Sequence, residues 1–222
     1  VYKRQTYKLN KKNTINIGAV YTLGRTLHGD AYKYHQTGTE SNGSIYVQSQ
    51  TGDTIPNPFK MPHTFGIGLT YVYDNRLTIG VDYTLQKWNT ADLAWSKFNK
   101  ESVEMNSRTK IAFGAEFVPS YISHNYLKRI RYRMGAYYSS PYNKVSYTSP
   151  DTGTTSFQDG AREYGVSIGF GLPMFQSKSM LNISGQYIKV SPKFKGLMEE
   201  NYLRINIGLT FNERWFMKWK VD

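Results

Sequence analysis

The strongest constraint on this chain is an alternation of period two that recurs along most of its length. Ile15, Ile17, Ala19, Tyr21 and Leu23 alternate with Asn16, Gly18, Val20, Thr22 and Gly24. Phe65, Ile67, Leu69, Tyr71 and Tyr73 alternate with Gly66, Gly68, Thr70 and Val72. The same rhythm runs through Leu77 to Leu85, Ile111 to Phe117, Ile130 to Tyr138, Tyr164 to Leu172, Leu181 to Tyr187 and Leu203 to Phe211. Alternate residues of a strand face opposite sides, so each segment has one apolar face and one polar or glycine face. No stretch carries a helical repeat. The 19 Tyr, 11 Phe and 19 Gly suit strands. The absence of cysteine excludes a disulfide scaffold, a thiolate metal site and a cysteine nucleophile.

The links between these segments alternate in length. Short turns fall at 10–13, 74–75 and 173–178, with a somewhat longer one at 119–128. Long polar links fall at 34–62, 89–106, 141–162 and 191–200. A transmembrane β-barrel has this asymmetry, with short turns on the periplasmic side and long loops outside. The expected fold is therefore all-β: an antiparallel outer-membrane barrel with eight complete strands and part of a ninth. Residues 1–13 read as a truncated strand and turn, with Val1 to Gln5 set aside as artefactual. Residues 14–212 read as barrel strands and loops, and 213–222 as a periplasmic aromatic and basic tail. The chain reads as the C-terminal part of a longer protein. Runner-up architectures are a complete eight-stranded barrel with a filled interior and a soluble lipocalin-like barrel with its apolar face inward.

In a membrane barrel the apolar set, including Phe65, Ile79, Phe113 and Ile205, points outward to lipid. Tyr71, Tyr73, Trp215, Phe216 and Trp219 are expected in the girdle at the short-turn side, and Tyr83, Trp88, Tyr137 and Tyr138 at the other. A charge facing lipid near the midplane costs about 2–4 kcal/mol, so the charged strand residues are expected in the lumen. These are Lys110, Arg129, Arg131, Arg133, Arg204, Glu116, Glu163 and Asp82. Two readings of them stay open: a basic stripe that attracts anionic head groups, or internal ion pairing of the cations with Glu116, Glu163 and Asp82. The second is preferred, since barrel interiors are polar in any case.

The net charge of +12 raises a nucleic-acid reading. Its Lys and Arg are scattered or gathered at turns and tail, where they meet lipid headgroups instead. Residues 165–169 match G-x-S-x-G, but lie inside an alternating strand rather than at the sharp elbow a nucleophile needs. His28 and His35 are the one pair spaced to share a metal, and loop histidines at that spacing are usually solvated. The chain is expected to be no enzyme, to hold no cofactor or metal, and to be a monomer in contact with outer-membrane lipid.

Three stretches carry a family resemblance. These are PHTFGIGLTYVYDNRLTIGVDYTLQKW at 62–88, RYRMGAYYSSPY at 131–142 and NYLRINIGLTFNERWFMKWK at 201–220. The first resembles the paired hairpin of the FadL/TodX outer-membrane transport family, with its Asp-x-x-x-x-x-Trp ending. The others resemble a later strand with a Tyr-x-x-x-Pro exit and the closing strand of Bacteroidetes members. The resemblance implies a fourteen-stranded barrel that takes up hydrophobic compounds such as long-chain fatty acids, with a hydrophobic small molecule as ligand. It transfers no binding residue to this chain. The alternative function is a structural or partner-binding outer-membrane barrel with a closed lumen.

Overall fold

The alternation becomes strand throughout. The structure is a computed structural model, and it describes residues 1–41, 44–57, 59–90, 104–148, 154–174, 179–192 and 198–211. A nine-stranded antiparallel sheet dominates it. Its members are β1 (Tyr2–Lys8), β2 (Asn13–Thr22), β7 (Thr64–Tyr73), β8 (Leu77–Gln86), β9 (Arg108–Phe117), β10 (Arg131–Ser139), β13 (Ala161–Pro173), β14 (Met180–Pro192) and β15 (Glu200–Thr210). They pair in the order β1-β2-β7-β8-β9-β10-β13-β14-β15, so chain neighbours within the sheet are also spatial neighbours. β1 and β15 are its two edges, and no closed barrel forms among the described residues. Tyr2–Lys8 pairs residue by residue with Val20 to Thr14, which draws most of the segment set aside as artefactual into the sheet. No helix of the described residues is long and apolar enough to cross a membrane.

Two of the long links are not loops. Between β2 and β7 the chain forms β3 (Arg25–Leu27), β4 (Asp30–Ser41), β5 (Ser44–Pro56) and β6 (Phe59–Met61). β3 pairs with β6 and β4 with β5, giving an antiparallel ribbon that continues outward from the sheet. Between β10 and β13, β11 (Lys144–Thr148) pairs with β12 (Thr155–Asp159). The ribbon β4–β5 exposes Tyr32 and Tyr34 beside polar neighbours on both faces, so it lacks the apolar alternation that marks the sheet strands. That is why its sequence reads as a loop. The link after β9 contains one short helix, α1 (Tyr126–Arg129), capped by Asn125.

The turn between β7 and β8 shows how local chemistry sets the register. Asp74 and Asn75 both have positive φ, 49° and 53°, and Arg76 N donates to Tyr73 O at 2.9 Å. Positive φ at both central positions gives a two-residue turn whose twist matches that of the strands, and Asn and Asp tolerate it better than branched residues. Asn75→Val is expected to lower stability by about 1–2 kcal/mol. Asn75→Gly should leave it unchanged or slightly higher. Urea unfolding of both variants reads the difference.

Register then sorts the side chains. Tyr71 lies opposite Ile15 and Ile79, Ile79 opposite Ala115, Ala115 opposite Met134 and Met134 opposite Ile168. The apolar positions of successive strands therefore share one face. That face is open: Phe65 is 41% exposed, Phe113 44%, Ile168 62% and Ile205 69%. The opposite face carries glycines and polar or charged side chains, and its ionic groups are the more enclosed ones, with Glu116 26% exposed. The sheet thus presents grease to its surroundings and keeps its polar groups on the other side.

Candidate functional site

The polar face of β9, β10 and β13 holds two ionic clusters. At the short-turn end, Glu116 accepts from Arg133 Nε at 2.6 Å and from Arg131 Nη1 at 3.2 Å. Arg133 Nη1 also donates to Asn182 Oδ1 at 2.8 Å. One carboxylate therefore holds two guanidiniums that period two places on the same face. At the other end, Arg108 donates to Ser139 Oγ at 2.7 Å, and its Nη2 lies 3.7 Å from Glu163 Oε2. Tyr137 donates its hydroxyl proton to Glu163, and Lys110 Nζ sits 4.6 Å from the centre of the Tyr137 ring.

Glycines make room for these large groups. A Cβ on Gly165 would lie 2.0 Å from Tyr137 Cε1, so the ring lies flat across that glycine. Gly171 and Gly169 stand likewise beside the stems of Arg131 and Arg133. Gly165→Val is expected to push Tyr137 away from Glu163 and cost about 1–3 kcal/mol, the usual range for overpacking. Gly185, where a Cβ would meet nothing within 4 Å, is the control. Gly185→Val should shift the thermal midpoint by much less.

The expected site residues fall into three groups. Lys110, Arg131, Arg133, Glu116 and Glu163 are brought together in the two clusters. Arg204 and Asp82 lie on the same face without a hydrogen bond or ion pair to either cluster: Arg204, on β15, is opposite Gln186 of β14, and Asp82 leans over Gly68 on β7. Among the described residues neither makes an ion pair, so the expected partnership of Asp82 with the arginines does not form. Arg129 leaves the pattern altogether. It ends α1, with its guanidinium 5.6 Å from the Tyr126 ring, because the strand begins only at Arg131.

The aromatics need one correction. Tyr137 belongs to the polar cluster, and its neighbour Tyr138 alone is on the apolar face, 5.1 Å from Tyr164. Trp88 sits in a single 3-10 turn, its ring 5.7 Å from that of Tyr142. Tyr71 and Tyr73 lie on the apolar face at the short-turn end, in line with Phe117, Tyr132 and Phe170. Trp215, Phe216 and Trp219, with the whole segment 213–222, lie outside the described residues. Sequence reading missed Arg108 and Asn182. Arg108 was within reach, since it stands two residues before Lys110 on the same strand face. Asn182 had no such signal, because its contact with Arg133 crosses a whole strand.

The remaining chemistry is sparse. Ser167 is within a strand with its Oγ 3.5 Å from Gly135 O, so the G-x-S-x-G stretch forms no elbow. His28 contacts Asn57, and no cluster of metal-ligating side chains occurs among the described residues.

Comparison with known proteins gives one result: a family model, BamG, matches residues 3–222. No curated protein and no solved structure matches. The match overturns the resemblance to the FadL/TodX transport family, and with it the expected channel for fatty acids and other hydrophobic compounds. The stretches that carried the resemblance are glycine and aromatic alternations. Strands with one lipid-like face and one crowded polar face impose those on any family.

Proposed function

The chain belongs to the BamG family, and from that membership we propose that it serves outer-membrane protein assembly, as a partner-binding component of the BAM complex. The observation that carries this reading is the family match along residues 3–222. The proposed setting is the bacterial outer membrane, crossed by the nine strands as part of a barrel wall, and the proposed role is non-catalytic.

Several features support the membrane setting. The apolar face has an aromatic row at each end. Tyr71, Tyr73, Phe117, Tyr132 and Phe170 mark the short-turn end, and Tyr21, Phe65, Tyr83, Tyr138 and Tyr164 the other. Rings within a row touch: Tyr132 and Phe170 are 5.9 Å apart, and Tyr21 and Phe65 4.9 Å. From Phe65 to Tyr73 the strand rises about 27 Å, which suits a tilted strand in the thin apolar band of an outer-membrane barrel. Between the rows stand Ile67, Leu69, Ile79, Val81, Phe113, Met134, Val166, Ile168, Ile205 and Ile207, and the charge at this level is Lys3 on the edge strand β1, opposite Ala19.

The partner-binding role is supported by the ribbons. An isolated two-stranded ribbon is only marginally stable in water. Yet β4–β5 extends well past the sheet and keeps Tyr32 and Tyr34 exposed, aromatic side chains of the kind that anchor protein interfaces. The paired clusters on the polar face also argue for a structural wall over a ligand pathway. Photo-crosslinking from Tyr32 and Tyr34 in whole cells tests the role. Adducts with components of the outer-membrane assembly machinery are expected. Absence of such adducts, with normal outer-membrane protein assembly after deletion of the gene, would refute the reading.

A further inference from the structure

The short-turn end of the sheet carries a feature that the assembly role does not use. Its first three turns are contiguous. Asp74 N donates to Lys12 O at 2.7 Å, joining the first turn to the second. Tyr121 Oη donates to Asn75 O at 2.7 Å and Val118 N to Arg76 O at 2.8 Å, joining the second to the link before β10. That link is closed on itself by Ser120 N donating to Lys128 O at 2.8 Å, and anchored by Val118 and Ile130, both buried. A well-tied link nevertheless displays Ile122, 92% exposed, and Leu127, 62% exposed.

The charge on this rim has one sign. Residues 9–12, 74–76 and 118–129 contain Lys11, Lys12, Arg76, Lys128 and Arg129 against a single acid, Asp74, which already faces Arg76 at 3.5 Å. The other end of the sheet is mixed: Lys144 pairs with Glu104 and Lys189 with Glu199, each at 2.6 Å. The rim also joins the aromatic row directly. Tyr71 donates to Asn13, and Tyr132 Oη donates to Leu127 O at 3.1 Å. Rings of such a row sit at headgroup depth, so the basic turns beside them sit where lipid phosphates are.

We propose that this rim is a binding surface for anionic phospholipid: the lysines engage headgroup phosphates while Ile122 and Leu127 enter the acyl boundary. Continuity with the lipid-like face and the one-signed charge favour this occupant over an acidic protein. The proposal rests on the membrane setting argued above, and the experiment separates the two. The full chain is reconstituted into vesicles of phosphatidylcholine alone or with phosphatidylglycerol. Flotation reports insertion, and intact-mass spectrometry of the re-extracted protein reports which lipid stays bound.

Insertion into both vesicle types with selective retention of phosphatidylglycerol is expected. Each lysine near the surface should contribute roughly fivefold. The triple variant Lys11→Gln, Lys12→Gln, Lys128→Gln should therefore lose about a hundredfold of the preference while still floating. Ile122→Ser should lower total lipid retention of either headgroup without changing the ratio. Equal retention of both lipids by the unaltered chain overturns the proposal, as does a preference that survives the triple variant. Failure to float with either vesicle instead contradicts the membrane setting itself.

Discussion

Ile168→Arg is expected to destabilise the protein by about 2–4 kcal/mol in a bilayer, enough to abolish assembly of a marginally stable wall. Ile168 stands on the apolar face between the two aromatic rows, opposite Met134 and Gly185, and is 62% exposed. In a soluble protein so open a position accepts arginine at almost no cost, because water solvates the guanidinium. In hydrocarbon the charge has no such partner. Thr70→Arg is the matched control. Thr70 is on the polar face, in a trough that it shares with Arg4 and with Asp82, which has no ion-pair partner among the described residues. The same charge there should cost less than about 1 kcal/mol. Folding into vesicles, followed by the loss of heat-resistant migration on a gel, reads both variants.

Glu116→Lys is the second large effect, expected at about 3 kcal/mol. Glu116 holds Arg133 at 2.6 Å and Arg131 at 3.2 Å. Reversal sets three cations side by side on one face. The side chains are about a quarter to a third exposed, so solvent screens part of the repulsion and the figure stays at the lower end of that for buried pairs. High salt should recover part of the loss. Glu199→Lys supplies the comparison. Its partner Lys189 is at 2.6 Å, but both groups are about half exposed, and the change should shift the urea midpoint far less. Equal urea midpoints for the two variants would show that the Glu116 cluster does not hold β9 against β10.

Eight of the nine strands were legible because each alternates apolar with polar or glycine residues over about ten positions, and register then carries that alternation across the sheet; β1 carries no such alternation, and most of it was set aside. The ribbons were not, because β4 and β5 are mostly polar and their few apolar residues, Ile55 among them, set up no sustained alternation. The clusters were legible in part. Arg131, Arg133 and Lys110 follow from parity alone, and pairing with Glu116 and Glu163 follows from their positions near facing strand ends. Arg129 failed because parity was extended one turn too far, past the buried Ile130 into a capped helix. Tyr137 failed because it was grouped with its neighbour Tyr138, although adjacent strand residues face opposite ways. Family assignment failed for a different reason: glycine and aromatic alternation reports the solvent that a strand faces, and many families share that solvent.

The account stands on which face of the sheet meets lipid. The chain has no cysteine, so single nitroxide labels at Ile168→Cys and Thr70→Cys are unambiguous. The measurement is their collision with oxygen, which dissolves in hydrocarbon, and with a water-soluble nickel chelate, for the full chain in vesicles. The Ile168 label should relax with oxygen and ignore nickel, and the Thr70 label should do the reverse. Nickel reaching the Ile168 label as freely as the Thr70 label would contradict the account.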